Sequence, residues 1–196
     1  MQSDPIVLAF DTSAAHCAAA LLCGGTIIAE RREEMARGQA ERIMVLLEDI
    51  LQEQSTAWGD LSAIGVGIGP GNFTGIRISV SAARGLALGL GIPAIGVNRF
   101  DIIAATTPEQ GYPCVPAPQD KFYVQRHGAE AKMLTRDQAD TLSHPLVFET
   151  KDLNPAITIA QIAAARFGVD QPRPAPLYIK AADAAPPRDA PPLIVP

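Results

Sequence analysis

The spacing of apolar residues changes partway along the first half of the chain, and this change most restricts the possible folds. Three short apolar runs, 6–10, 15–23 and 26–32, are separated by turn-forming residues and predict strands joined by two hairpins. From residue 39, apolar residues recur every three or four positions, which predicts an amphipathic helix of about four turns. The apolar stripe of this helix consists of Ile43, Leu46, Leu47, Ile50 and Leu51.

A second strand–helix unit follows directly. Residues 61–68 predict a buried strand, the glycine-rich loop GVGIGPGNFTGIR begins at residue 65, and residues 74–90 have the length of a second helix. A short strand at 94–97 ends the unit. This order predicts an antiparallel meander continued by parallel strands, with helices covering the sheet. The layout resembles one lobe of the actin-like (ASKHA, ribonuclease H-like) two-lobed α/β fold, in which mixed sheets are flanked by helices.

The second half of the chain gives weaker signals. Residues 100–106 and 157–167 predict helices, and 112–115 and 121–125 predict strands. The segment 172–196 contains eight prolines and is expected to run extended, with Leu177-Tyr178-Ile179 as its one plausible anchor.

The chain therefore divides into three predicted parts. Residues 1–100 form the first actin-like lobe, 101–171 an abbreviated second lobe, and 172–196 a proline-rich C-terminal tail.

Charge and cysteine content favour an ordinary cytoplasmic protein. The net charge of −5 argues against a large nucleic-acid surface of the chain's own. Cys17, Cys23 and Cys114 form no CxxC pair and are expected to be structural thiols in a reducing compartment. The N-terminal residues lack the pattern of a secretion signal, and no apolar run approaches the roughly 20 residues of a membrane span.

The glycine loop does not match a known phosphate-binding motif. A Walker loop needs a lysine that is missing here, and the third glycine of GxGxxG is missing in each possible register. Backbone amides around Gly69, Gly71 and Thr74, aimed by the helix N-terminus, could still hold an anion. Capping of the helix by Asn72 or Thr74, with tight-turn glycines, is the favoured alternative.

The stretch Asp11-Thr12-Ser13, at the end of the first predicted strand, is a second candidate phosphate site. It resembles the element of the actin-like superfamily in which an aspartate acts through magnesium on nucleotide phosphates. An ordinary Asx or Ser/Thr turn explains the same residues. The histidines, His16, His127 and His144, form no metal-binding pair and are expected in surface or loop positions.

Three longer segments identify a family. IVLAFDTSAAHCAAALL, ERIMVLLEDIL and AIGVGIGPGNFTGIRISVSAARGLALGLGIPAIGVN, in this order and spacing, resemble the TsaB (YeaZ-like) family of bacterial proteins needed to make threonylcarbamoyladenosine in tRNA. The resemblance is strong over residues 6–107, and LYIKAAD resembles the family's closing strand.

The resemblance implies a scaffold rather than an enzyme. Its partner would be the paralogue TsaD, which transfers threonylcarbamoyl to adenosine 37 of tRNAs that read codons starting with A, together with the ATPase TsaE. The first-lobe helices would pack against those of TsaD, or against a second copy in a homodimer. The implied interface residues are Met44, Leu47, Leu51, Arg77, Val80 and Arg84. From the residues alone, ordinary core packing of the first helix is the favoured alternative.

The paralogue carries a metal-binding histidine pair where this chain has Arg99 and Ile103, and neither side chain ligates a metal. No cofactor is expected, although weak or interface-shared ATP or ADP stays open. The alternative is an ATP-dependent phosphotransferase or a peptidase-like enzyme. Contacts to tRNA would be indirect. A local basic patch of Arg31, Arg32 and Arg37 could add contacts inside a complex. A solvated strand end is the favoured interpretation of the patch, because charge runs usually face solvent.

Overall fold

The first half of the chain folds into a five-stranded mixed sheet. The structure, a computed structural model, describes residues 5–107, 111–126, 129–150 and 153–179. The strand order is β3-β2-β1-β4-β5. β1 pairs antiparallel with β2 and parallel with β4, and β5 continues the parallel part, as predicted. The strands are β1 (Ile6–Asp11), β2 (His16–Cys23), β3 (Thr26–Glu34), β4 (Ala63–Gly67) and β5 (Ala94–Val97).

Helices cover both faces of this sheet. α1 (Gln39–Glu53) and α2 (Phe73–Leu90) lie on one face, and α5 (Pro155–Arg166) packs against the other. α3 (Arg99–Thr106) contributes Ile102 to the same side as α5. Because both faces are covered, the central strands β1 and β4 are almost entirely buried, and this explains why they read as continuous apolar runs.

A smaller, four-stranded sheet follows. Its order is β8-β7-β6-β9, with β6 and β9 parallel and the other pairs antiparallel. The two strands predicted here, β6 and β7, are present, whereas β8, β9 and the short helix α4 were not predicted. The elements are β6 (Tyr112–Ala117), β7 (Lys121–Val124), β8 (Lys132–Thr135), α4 (Arg136–Asp140) and β9 (Leu146–Phe148).

The predicted boundary between the lobes does not coincide with the packing. Residue 100 lies inside α3, whose Phe100 and Ile103 pack with Val115 of the second sheet. α5 belongs to the range predicted as the second lobe, yet its Ile159, Ala160 and Ala163 pack on the first sheet. α3 therefore contacts both sheets, whereas α5 belongs by its packing to the first sheet.

The segment after α5 is anchored as predicted at 177–179. The Leu177 amide donates to the Ile68 carbonyl oxygen (2.8 Å), and the side chains of Leu177 and Ile179 pack beside Phe100. Residues 180–196 of the predicted tail lie outside the described residues. Among the described helices, none combines the length and the hydropathy needed to cross a bilayer.

Candidate functional site

Asp11 lies at the C-terminal end of β1 and is 3% exposed. Its Oδ2 atom accepts three hydrogen bonds: from the Ser13 amide (3.0 Å), from the Ser13 hydroxyl (2.9 Å) and from Nε2 of His16 (2.8 Å). Its Oδ1 atom is buried against Gly67 and has no hydrogen-bond partner among the described residues. We call Asp11, Thr12, Ser13 and His16 the strand-end cluster.

The strand-end cluster is fastened to the glycine loop and to the first turn of α2. The Thr12 hydroxyl donates to the Gly75 carbonyl oxygen (2.7 Å), and the backbone amide of Asn72 donates to the Ser13 carbonyl oxygen (2.6 Å). A side chain at Gly75 would collide with the Thr12 carbonyl, so the close approach requires glycine. Asp11-Thr12-Ser13 and the glycine loop are thus in contact, and their polar groups bind one another. Phosphate binding by these residues stays a prediction.

The remaining loop residues have structural roles that the sequence partly predicted. Gly69 has a φ of 89°, a backbone conformation that favours glycine, and its carbonyl oxygen accepts from the Arg99 amide (2.8 Å). Asn72 caps α2, because its Oδ1 accepts from the Gly75 amide (2.8 Å). Thr74 is exposed and Gly71 packs against Ser13. The predicted cap by Asn72 is confirmed.

The prediction for His16 is wrong. This histidine is 6% exposed and begins β2, where its ring reaches back to Asp11. A buried imidazole is stable here because Asp11 supplies an acceptor that the surrounding apolar strands lack. His144 is exposed, as predicted, and His127 lies outside the described residues.

Two cavities flank the strand-end cluster between the two sheets. One, of about 500 Å³, is lined by His16, Arg99 and Glu149; the other, of about 520 Å³, is lined by Ser13, Asn72 and Arg99. Arg99 donates from Nε (3.0 Å) and from a terminal nitrogen (2.5 Å) to one carboxylate oxygen of Glu149. Ion pairing between these side chains therefore joins α3 to the chain just after β9 and separates the cavities.

The predicted partner surface on α1 and α2 requires correction. Leu47, Leu51 and Val80 are at most 3% exposed, and the two leucines belong to the apolar stripe with which α1 covers the core. Met44 is 40% exposed, and Arg84 is also exposed. The outward surface is therefore narrower than predicted.

Arg77, the remaining predicted interface residue, is engaged within the chain. Its guanidinium lies 3.7 Å from the centre of the Phe73 ring, and its Nε donates to the Tyr178 hydroxyl (2.9 Å). Tyr178 comes from the C-terminal anchor and also contacts Phe73, with ring centres 5.2 Å apart. The anchor thus fixes the N-terminal end of the exposed side of α2.

The exposed side of α2 includes residues that sequence reasoning missed. Leu88 is 84% exposed, the largest exposure among the large apolar side chains of the described residues. Gly85 and Gly89 lie beside it, and a Cβ added at either would meet no atom within 4 Å. We call Met44, Val45, Arg84, Gly85, Leu88 and Gly89 the outer helix face. The signal was present in the sequence, since Ser81, Gly85 and Gly89 recur every four residues.

Other candidate chemistry finds little support in the geometry. Burial raises the pKa of the Cys17 thiol to about 11 and that of Cys114 to about 12, so both are neutral thiols at physiological pH. No group of three or more histidine, cysteine or acidic side chains is placed to hold a metal in the described part of the chain. In the local basic patch, Arg31 pairs with Glu53 and Arg32 with Glu34.

Comparison with known families gives a direct assignment. The family described as "TsaD: tRNA N6-adenosine threonylcarbamoyltransferase" matches residues 26–175, well over half of the chain. The chain belongs to this family. Within the family, its curated relatives include proteins called "tRNA threonylcarbamoyladenosine biosynthesis protein TsaB", which confirms the resemblance seen in the sequence.

The curated relatives are longer than the matched segment. The TsaB protein of Escherichia coli is 42% identical over 98 residues, which cover 50% of this chain and 42% of the relative. The TsaB protein of Bacillus subtilis is 38% identical over 99 residues, or 50% of this chain and 43% of the relative. The matched segment therefore spans less than half the length of these relatives.

Solved structures support the fold. "YeaZ from Pseudomonas aeruginosa" superposes with a TM-score of 0.67 at 24% identity and covers 83% of this chain and 92% of that one. A second Pseudomonas aeruginosa protein, described as having "similarity to peptidase YEAZ", gives a TM-score of 0.74 at 23% identity, covering 90% and 100%. The predicted α/β fold, with mixed sheets flanked by helices, is confirmed.

Proposed function

We propose that this chain is a non-catalytic partner of the tRNA N6-adenosine threonylcarbamoyltransferase TsaD in the synthesis of threonylcarbamoyladenosine. The relatives named for this pathway support an accessory role in tRNA modification. Its partners would be TsaD and, within the same cytoplasmic complex, the ATPase TsaE, with tRNA contacted only through the complex. The role requires no cofactor bound by this chain alone.

The observation that carries the proposal is the pair of exposed glycines on α2. Glycine inside a helix costs about 1 kcal/mol relative to alanine. At Gly85 and Gly89 this cost has no explanation among the described residues, because an added Cβ would meet none of their atoms within 4 Å. Small residues spaced four apart allow the backbone of another helix to approach closely. A partner helix lying along α2 would account for both glycines.

The composition of the outer helix face fits such a partner. Met44, Val45 and Leu88 supply apolar area, and Arg84 has no ion pair among the described residues. α2 contains no acidic residue, so its exposed side is basic. A helix with small apolar residues and an adjacent carboxylate would complement this side of α2.

The positions corresponding to the catalytic metal ligands of TsaD support a non-catalytic role. Ile103 is fully buried among Phe100 and Val115, and it has no donor atom. The Arg99 guanidinium has only N–H donors, and Glu149 accepts from it. A metal-dependent transfer therefore has no ligand pair at this place in the chain.

The decisive experiment replaces Gly85 with alanine. In the isolated protein, Gly85→Ala should raise the free energy of unfolding by about 0.5–1 kcal/mol, because alanine favours helix. The same change should weaken binding to TsaD at least tenfold in calorimetry, because the new Cβ keeps the partner helix at a distance. Ile28→Glu, which changes an exposed apolar residue on β3, is the matched control and should leave binding unchanged.

Two results would reject the proposal. If Gly85→Ala stabilises the chain and binds TsaD as tightly as the original, α2 is not the docking helix. If cells depleted of this protein keep normal threonylcarbamoyladenosine in tRNA, measured by nucleoside mass spectrometry, the pathway assignment fails. Light scattering of the isolated chain separates docking to TsaD from pairing of two copies.

A further inference from the structure

Asp11 stands where the actin-like fold would place the aspartate that acts on a nucleotide through magnesium, so its surroundings test whether that group fits. Magnesium binds oxygen ligands at about 2.0–2.1 Å and keeps several waters, so it needs a carboxylate oxygen open to solvent-filled space. Neither oxygen of Asp11 meets this requirement. Oδ1 is closed off by the backbone of Gly67, and Oδ2 already accepts three hydrogen bonds.

The neighbouring cavities show which side chain blocks the approach. His16 and Ala14 line the cavity of about 500 Å³, and Ser13 and Ala14 line the one of about 520 Å³. Asp11 lines neither of these two cavities. A cation entering from the first cavity would meet the His16 ring before it reached the carboxylate.

We infer that His16 takes the position from which a nucleotide-bound cation would approach Asp11, so that the strand-end cluster is a closed structural unit and not a metal–nucleotide site. The His16 Nε2–H supplies the positive partial charge that a buried carboxylate requires. Ser13 and Thr12 supply the remaining links, to Asp11 itself and to the first turn of α2.

The unit has a positive role that follows from its connections. Asp11 accepts from the Ser13 backbone amide, and the Ser13 carbonyl oxygen accepts from the Asn72 backbone amide. The side chain of Asn72 in turn caps α2. Thr12 makes a second link, to Gly75. The cluster therefore fixes the angle at which α2 leaves the sheet, whether or not a partner binds that helix.

Magnesium and magnesium nucleotides are the probes that test the inference. Calorimetry of the unmodified protein should show no saturable binding of MgATP or MgADP up to millimolar concentration. Saturable binding that disappears with EDTA and with Asp11→Asn would overturn the inference. This measurement needs no altered protein to fold, and it does not depend on the pathway assignment.

Variants of His16 test the cation position directly. His16→Ala should lower the melting temperature by about 5–10 °C, because it removes one of the three hydrogen bonds to a buried carboxylate. Magnesium chloride should restore part of that loss in His16→Ala and have no effect on the unmodified protein. Adding Asp11→Asn should also restore part of the loss and should abolish the effect of magnesium.

His16→Gln is the matched control, because its side-chain amide can still donate to Asp11. It should melt close to the unmodified protein and be insensitive to magnesium. Two outcomes would refute the inference that His16 occupies the position of the cation. One is an unchanged melting temperature in His16→Ala, and the other is a destabilised His16→Ala that magnesium does not stabilise.

Discussion

The strand-end cluster contacts the first turn of α2, and the outer helix face combines exposed residues of α1 and of the C-terminal half of α2. The two regions differ in how many of their polar groups have hydrogen-bond partners. In the cluster, three hydrogen bonds converge on one oxygen of Asp11, and Thr12 binds Gly75. On the outer helix face, Leu88 is exposed, Arg84 has no ion pair among the described residues, and Gly85 has no neighbour to explain it. The polar side chains of the strand-end cluster, which suggest a phosphate site in the sequence, are hydrogen-bonded within the chain. The side chains of the outer helix face, which carry no motif, are exposed to solvent.

The largest expected effect separates the two sides of α1. Leu51→Glu should lower the free energy of unfolding by about 4 kcal/mol or more, because it buries a carboxylate in the core, whereas Met44→Glu should change it by less than about 0.5 kcal/mol. Leu51 is 2% exposed and Met44 is 40% exposed. Urea denaturation measures both, and similar midpoints for the two variants would show that α1 is not oriented as described.

Thr12→Val tests how strongly the cluster holds α2. The change keeps the shape of the side chain and removes the donor to the Gly75 carbonyl oxygen, which is buried. We expect a loss of about 1–3 kcal/mol in the free energy of unfolding. Thr74→Val, at an exposed position in the first turn of α2, is the matched control and should change stability by less than about 0.5 kcal/mol. Equal losses would indicate a general effect of valine.

Asn72→Ala removes the cap that begins α2. Its Oδ1 accepts from the Gly75 amide, and loss of such a cap costs about 1 kcal/mol. Asn72→Asp keeps the acceptor and should retain the stability of the unmodified protein in thermal unfolding. If Asn72→Asp is as unstable as Asn72→Ala, hydrogen bonding at this cap is not the cause.

The smallest effect concerns the half-buried ion pair between Arg42 of α1 and Glu33 of β3. The hydrogen bond from Arg42 lowers the pKa of Glu33 below 4.5, the ordinary value for glutamate. A lowered folded-state pKa stabilises the protein above the unfolded value, and that gain is lost as the pH falls through the folded value. Arg42→Met should therefore cost about 0.5–1 kcal/mol at pH 7 and nothing at pH well below 4.5. A cost that persists in acid would point to lost packing.

Much of the fold could be predicted because its signals are local. The five strands of the first sheet and the four longer helices were predicted from two signals. One is the spacing of apolar residues, and the other is the glycines and prolines that interrupt it. β8, β9 and α4 were missed because they have three to five residues each, too few for a period to be recognised. The cap by Asn72 was predictable from its residue type and its place before a helix.

The site was predicted only in part. The sequence singled out Asp11-Thr12-Ser13 and the glycine loop as separate candidates, but it predicted neither the contact between Thr12 and Gly75 nor the bond from His16 to Asp11. The hairpin offered a signal, since a short turn between β1 and β2 brings His16 back beside Asp11. The outward residues of α1 were also misassigned, because the edge of an apolar stripe cannot be placed without knowing the sheet beneath it.

The sequence by itself determined the order of strands and helices, the apolar side of each helix and the family. Only the tertiary structure decided which polar groups are hydrogen-bonded within the chain and which side chains are exposed to solvent. Local patterns fix backbone conformation, whereas exposure and hydrogen-bond satisfaction depend on groups far apart in the chain, such as Thr12 with Gly75 and Arg77 with Tyr178.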